Sequence, residues 1–269
     1  MYQNELSKER KIYLQTQKKN KLAINAVRVF ILVAFVFLWE IGARFSLIDS
    51  FVLSSPSRIL SVLLDFKQNN LLLHIGTTLF ETMIGFLLGV ILGLIIAVLL
   101  WWSPFLSKVS EPYLVVLNSL PKIALGPVII IWAGAGTRAI IFMALAISMI
   151  VTVLEMLGGF KMTDGELIKM LTTFGANRFQ IFSKIVLPYN IETLFNSLKI
   201  NIGLTLVGVI AGEFLVSKAG LGYLIVYGGQ VFKMDLVMAS VLILALAAAI
   251  LYEIIVLAQK LVLRYMSHK

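Results

Sequence analysis

Four stretches of this chain, Met83–Trp102, Ala139–Phe160, Leu194–Val216 and Leu236–Leu257, are predominantly apolar over twenty residues or more. A hydrocarbon core about 30 Å thick is crossed by about 20 helical residues rising 1.5 Å each. Two weaker stretches have similar character. Val27–Ile41 carries Arg28 at its start and Glu40 at its end, and Tyr113–Trp132 is interrupted by Pro121 and Pro127. Because the chain is 59% hydrophobic and only 14% charged over 269 residues, it does not read as a water-solvated globule. The expected fold is all-α, a polytopic membrane protein with six transmembrane helices, organised as a basic tail over residues 1–22 and one transmembrane domain over 23–269. The tail is followed by no small-residue cleavage site, so the first span reads as a retained anchor.

The net charge of +9 admits two readings, a nucleic-acid site or loops that follow the positive-inside rule. Their positions decide between them. With six spans both termini share one side, and that side collects fourteen Lys and Arg, among them Lys8, Arg10, Lys18, Lys108, Lys161, Lys184 and Lys260. The opposite loops hold six: Arg44, Arg58, Lys67, Arg138, Lys218 and Lys233. Both termini are therefore predicted cytoplasmic, and no aromatic-interleaved basic patch supports nucleic-acid binding. The absence of cysteine removes disulfides and thiol chemistry, while His74 and His268 are too few and too distant for a histidine metal cluster.

Inside the spans, Gly85, Gly89, Gly93 and Ala97 recur every fourth residue, which places a small-residue stripe on one helix face for close packing. The third span differs. Pro112, Pro121 and Pro127 each lack a backbone donor, and broken helix at membrane depth survives only inside protein or beside a water-filled cavity. Asn118–Pro127 thus reads either as part of a passage or as a kink packed between helices. Glu81, Lys122, Glu155, Lys199, Glu213 and Glu253 are the charges within spans, each costing about 2.5–3.5 kcal/mol at a helix centre. A structural bridge between Lys199 and Glu155 or Glu253 is expected. Lys122 either attracts an anionic substrate or snorkels to the surface, and Asn118, Asn201 and Glu213 join Pro121, Lys122 and Pro127 as candidate pathway residues.

The loop 161–188 carries the densest local signals. Thr163 with Glu166 fits a capping box, Gly175 a left-handed helix stop, and Asn177 with Gln180 a second capping box. Two short helices are predicted, over about Gly165–Phe174 and from Asn177 to a point before Pro188. Phe179, Ile181, Phe182, Ile185, Val186 and Leu187 exceed what one lipid-facing stripe needs, so some of them are expected to meet another protein. The alternative is an amphipathic pair lying at the headgroups.

The segment Gly175-Ala176-Asn177-Arg178-Phe179-Gln180-Ile181-Phe182-Ser183-Lys184-Ile185-Val186-Leu187-Pro188 resembles the second half of the EAA loop of permease subunits in ATP-binding-cassette importers. Gly175, Ile185, Leu187 and Pro188 stand at the family spacing. Lys169, Met170 and Leu171 replace the family's Glu-Ala-Ala, and Glu166 is the carboxylate one turn earlier. Ser54–Arg58, Leu120–Pro127 with Trp132-Ala133-Gly134, and Gly212–Leu215 with Gly220-Leu221-Gly222 are similar, in order, to segments of the subgroup that imports nitrate, sulfonates, taurine and pyrimidine vitamin precursors.

The resemblance implies a MetI-like, type I importer permease in a bacterial cytoplasmic membrane, paired as a homodimer with a passage along the dimer axis. Its implied partners are two ATP-binding subunits and an extracytoplasmic substrate-binding protein. Glu166, Lys169, Gly175, Ala176, Arg178, Phe179, Phe182, Ile185, Leu187 and Pro188 are its implied ATPase-docking residues. No cofactor is expected on this chain, because it lacks a G-x-x-x-x-G-K-[ST] loop, so ATP and magnesium belong to the partner. An ion-coupled secondary transporter would predict inverted repeats with matched broken helices, and an intramembrane hydrolase a nucleophile elbow or an H-E-x-x-H helix; neither pattern is present.

Overall fold

The computed structural model describes residues 8–47, 49–65 and 70–267; Lys67, His268, Lys269 and the first residues of the basic tail lie outside them. All regular structure among the described residues is helical. The chain forms two compact units, residues 1–64 and 65–269.

In the first unit, α1 (Lys8–Arg44) is one 37-residue helix, followed by α2 (Ser50–Leu53) and α3 (Pro56–Leu64). From Lys8 onward the expected tail is the beginning of the same helix as the first span. Its apolar stretch, Tyr13–Arg44, is long enough to cross a membrane. Glu40, which closes the predicted span, accepts from Arg44 Nε at 2.8 Å and from the Ser57 backbone N–H at 3.0 Å, so α3 starts against the end of α1. Ser55 precedes Pro56 as the cap of α3, and Ile59 is its buried apolar anchor.

The second unit contains α4 (Leu71–Trp102), α5 (Pro104–Ser119), α6 (Gly126–Ala133), α7 (Thr137–Lys161), α8 (Gly165–Thr173), α9 (Arg178–Ile181), α10 (Leu187–Tyr189), α11 (Ile191–Val216), α12 (Leu221–Gln230) and α13 (Met234–Ser267). Helix α7 is the centre, with Ala139, Ile140, Met143, Ala144, Ile147 and Met156 all buried. Small residues let its neighbours approach on two sides. A Cβ added to Gly85 of α4 would stand 2.7 Å from the Ala144 Cβ, and one on Gly93 would stand 2.6 Å from the Thr152 Cβ. One on Gly89 would land on Ser148 Oγ. From α11, a Cβ on Gly208 would be 2.9 Å from the Ala144 Cα, and one on Gly212 would be 3.1 Å from the Ile140 Cα. Contact at this distance replaces lipid-facing surface with dense helix packing.

Five helices are long and apolar enough to cross a membrane, and a bent pair makes a sixth span. That pair is α5 followed by the 3₁₀ turn Lys122–Leu125 and α6, with an 85° bend. The bend falls at Leu120–Pro121. Pro127 sits in the first turn of α6, where its missing donor is not needed, while Pro112 lies within an otherwise continuous α5. Helix α4 begins twelve residues before the predicted Met83. It includes His74, Thr78 and Glu81, which are buried by protein rather than left at a water-facing end.

Candidate functional site

The segment between α7 and α11, the lever of the function proposed below, is a folded helix pair whose local structure follows from its caps. Asp164, rather than Thr163, caps α8: its Oδ1 accepts the Glu166 N–H at 2.8 Å. Thr163 turns inward instead, because Asn190 Nδ2 donates to its Oγ1 at 2.8 Å and buries it. At the other end of α8 the Ala176 N–H bonds the Leu171 carbonyl at 3.1 Å and the Gly175 N–H bonds that of Thr172 at 3.0 Å. This is a Schellman stop, and it requires the left-handed φ of +78° that Gly175 adopts. Asn177 and Gln180 then form the reciprocal capping box, at 2.9 and 2.8 Å.

The helix that follows does not end before Pro188. A π turn over Phe182–Val186 joins α9 to α10, and the Leu187 N–H reaches back five residues to the Phe182 carbonyl. Widening the ladder there lets the helical run pass Pro188, which lacks a donor, and continue to Tyr189. Asn190 closes it. Its Nδ2 also donates to the Val186 carbonyl at 2.8 Å, so one buried side chain joins the start of the lever, its end and the head of α11. Asn190→Ala removes both bonds and strands buried acceptors, a loss of about 1–3 kcal/mol that thermal unfolding of the detergent-solubilised chain reports as a lowered midpoint.

One face of the lever is seated on the bundle. Arg178 Nη1 donates to the Trp102 carbonyl at 2.8 Å, at the end of α4. The Phe182 ring lies 5.2 Å from Trp101, 5.5 Å from Phe160 and 6.3 Å from Trp102, within the range of favourable tilted aromatic pairs. Ile181 and Val186 are buried with Ala97, Met156 and Leu157, while Ala176, Ile185 and Pro188 are half-buried. The opposite face is open: Glu166, Lys169, Gly175, Phe179 and Leu187 are exposed. Phe174 and Phe179, at 81% and 66% exposure, are large apolar rings with no cover from this chain.

The predicted pathway residues fall into two groups. Asn118, Pro121 and Pro127 are exposed and Lys122 half-buried at the break, where Lys122 Nζ donates to the Asn118 carbonyl at 2.9 Å. Beside them a cleft of about 400 Å³ is lined by Ile123, Val207, Ile210, Phe214 and Leu244. Asn201 and Glu213 are not on that surface. Asn201 is buried between α7 and α11, donating to Thr152 Oγ1 at 3.0 Å and to Ser197, and Glu213 is buried against α4 and the loop before α12. Both sit where small residues bring helices close enough for polar groups to bond across. Lys199 makes no bridge to Glu155 or Glu253; its Nζ donates to Asn196 Oδ1, one turn back at 3.2 Å. Asn190, Thr78 and His74 escaped the sequence reading. For Asn190 a signal existed, since an asparagine directly before an apolar run marks a helix start, although its side chain here bonds Thr163 and Val186 rather than capping α11.

A bundle of membrane-crossing helices, one of them broken, with a capped helix pair seated on the ends of two others, is the architecture of a membrane transport subunit. The chain belongs to the family of binding-protein-dependent transport system inner membrane components, whose sequence pattern matches residues 89–268. It is a multi-pass ABC importer permease of the MetI-like kind and not itself an enzyme. It is 29% identical over 228 residues to the riboflavin transport system permease protein RibX of Chloroflexus aurantiacus, covering 84% of this chain and 85% of that protein. The formylaminopyrimidine transport permease protein ThiX of Halalkalibacterium halodurans is 25% identical over 206 residues, covering 77% and 81%. The taurine transport system permease protein TauC of Escherichia coli is 26% identical over 221 residues, covering 80% of each. Among solved structures, an inward-facing MetNI methionine ABC transporter chain superposes with a TM-score of 0.64 at 20% identity, covering 74% of this chain and 98% of that one, which shows the shared fold.

Proposed function

We propose that this chain forms a homodimeric passage for a small solute: a flavin, a pyrimidine vitamin precursor, taurine or another sulfonate, as its relatives are named for, or nitrate, as the sequence resemblance implies. ATP is hydrolysed by two partner subunits, and cargo is delivered by an extracytoplasmic binding protein. The observation that carries this reading is the lever. Its inner face is fastened to α4 and α7 by Arg178 and Phe182, while its outer face presents Phe174 and Phe179 uncovered. A rigid helix pair with an apolar outer face fits a groove on a partner, and Glu166 and Lys169 flank the contact. Asn190 then transmits displacement of the lever to α11. The surplus of Lys and Arg on the lever's side supports placing the lever and both termini in the cytoplasm of a bacterial cell. Asn118, Pro121, Lys122 and Pro127 are the groups we assign to the passage, with α5–α6 opened by its 85° bend.

The docking reading predicts that Phe174→Asp combined with Phe179→Asp leaves the permease folded, because both rings already face outward, but lowers recovery of the co-expressed ATP-binding subunit by about tenfold or more. Co-purification in detergent followed by ATP-driven uptake in vesicles measures it. Unchanged recovery and uptake would exclude this face as the docking surface.

A further inference from the structure

At the end of the bundle away from the lever, a polar cluster holds α11 to α4. His74, Thr78 and Glu81 share one face of α4, as spacings of four and three residues require. Glu213, near the end of α11, accepts from the Thr78 hydroxyl and from the Gly222 N–H, each at 2.6 Å. Thr78 Oγ1 accepts the Leu221 N–H at 2.8 Å, and His74 Nδ1 accepts the Gly220 N–H at 2.9 Å. The glycines are required by contact: a Cβ on Gly220 would overlap the Glu213 carboxyl, and one on Gly222 would be 2.8 Å from its Oε2. The loop 217–220 and the first turn of α12 are thereby pressed onto Glu213 and α4.

Glu81 is the member left over. It is wholly buried, and neither of its oxygens has a hydrogen-bond partner among the described residues. The Glu213 carboxyl and the Thr137 hydroxyl are the polar groups near enough to act on it, the hydroxyl as a donor. No lysine or arginine among the described residues pairs with either carboxyl, and Arg138 and Lys218 at the same end are exposed. The other titratable groups of the cluster are His74, whose Nδ1 is an acceptor here, and the Tyr223 ring stacked on it. Two ionised carboxylates are both acceptors and have no bond to offer each other. As anions they would repel, and Glu81 would bear its desolvation cost with only the Thr137 hydroxyl to offset it. One proton removes both difficulties, since a carboxylic acid donates one O–H.

We propose that Glu81 is held as a neutral carboxylic acid donating to Glu213, a positioning residue that pins α11 and the start of α12 to α4. In the lever reading above, on which this consequence rests, the pin is the fixed end about which α11 rocks. The test uses the full chain in lipid nanodiscs. Glu81→Gln keeps a donor without a charge and is expected to hold the thermal midpoint within about 3 °C of wild type, whereas Glu81→Ala and Glu213→Gln each lower it by about 6 °C or more. The infrared difference between wild type and E81Q at neutral pH is expected to contain a protonated-carboxyl carbonyl band. Absence of that band, or an E81Q chain that fails to assemble or melts with E81A, would overturn the proposal. So would a wild-type midpoint raised by sodium chloride but not by choline chloride, which would assign the space beside Glu81 to a cation. None of these readouts needs ATP or cargo, so they stand or fall independently of the transport reading.

Discussion

Replacing Gly89 with leucine is expected to abolish assembly of the helical bundle. A Cβ at this position lands on Ser148 Oγ, and the Met149 backbone nitrogen is 3.3 Å away, so α7 itself and not only a side chain must move. Overpacking of a dense contact costs about 1–3 kcal/mol when side chains can yield, and more when backbone must shift. α7 is also gripped from its other side by Gly208 and Gly212, which removes the direction in which it would retreat. The expected result is loss of the monodisperse species on gel filtration and a steep fall in membrane-inserted protein. Gly76→Leu is the matched control: it lies on the same helix with nothing within 4 Å of the added Cβ, and its product should assemble normally. Equal recovery of both variants would refute the central place given to the contact between α4 and α7.

Phe182→Ala is expected to uncouple the transporter. The ring is the main contact between the lever and the aromatic platform of Trp101, Trp102 and Phe160, and truncating a half-buried phenylalanine removes about 2 kcal/mol of packing. The outer face, with Phe174 and Phe179, is untouched. The ATP-binding subunit should therefore still co-purify, ATP hydrolysis should persist, and uptake per ATP should fall by about tenfold, because force applied to the lever is lost in a loosened joint. Phe182→Trp, which keeps an aromatic contact, should restore much of the ratio. A ratio of uptake to hydrolysis that does not change in F182A would show that motion reaches α11 by another route, with Asn190 the next joint to test.

Much of this architecture was legible because its signals are local. Span number follows from apolar run length, and the stop at Gly175 and the box at Asn177 and Gln180 follow from residues three or four apart. Where the structure departs from these local signals, a distant partner is the cause. Thr163 reads as the cap of α8, but Asp164 takes that place and Thr163 is bonded instead by Asn190, 27 residues away. Pro188 reads as a helix stop unless a π turn precedes it, and Val186, buried within that turn, ties it to the core shared with Ala97 and Met156. Asn201 and Glu213, assigned to the passage for their polarity, are held by partners far along the chain. Their partners, Thr152 and Thr78, are 49 and 135 residues distant.

By itself the sequence determined the five long apolar helices, the broken apolar stretch that can make a sixth span, and the capped two-helix segment between α7 and α11, since hydropathy, proline and capping act within a few residues. Only the tertiary structure decided which polar groups inside those spans face one another. That choice depends on close helix contact through Gly85, Gly89, Gly93, Gly208 and Gly212, and it places Glu81 beside Glu213. In a bundle surrounded by lipid a buried polar group must find its partner on another helix, however far along the chain that helix lies.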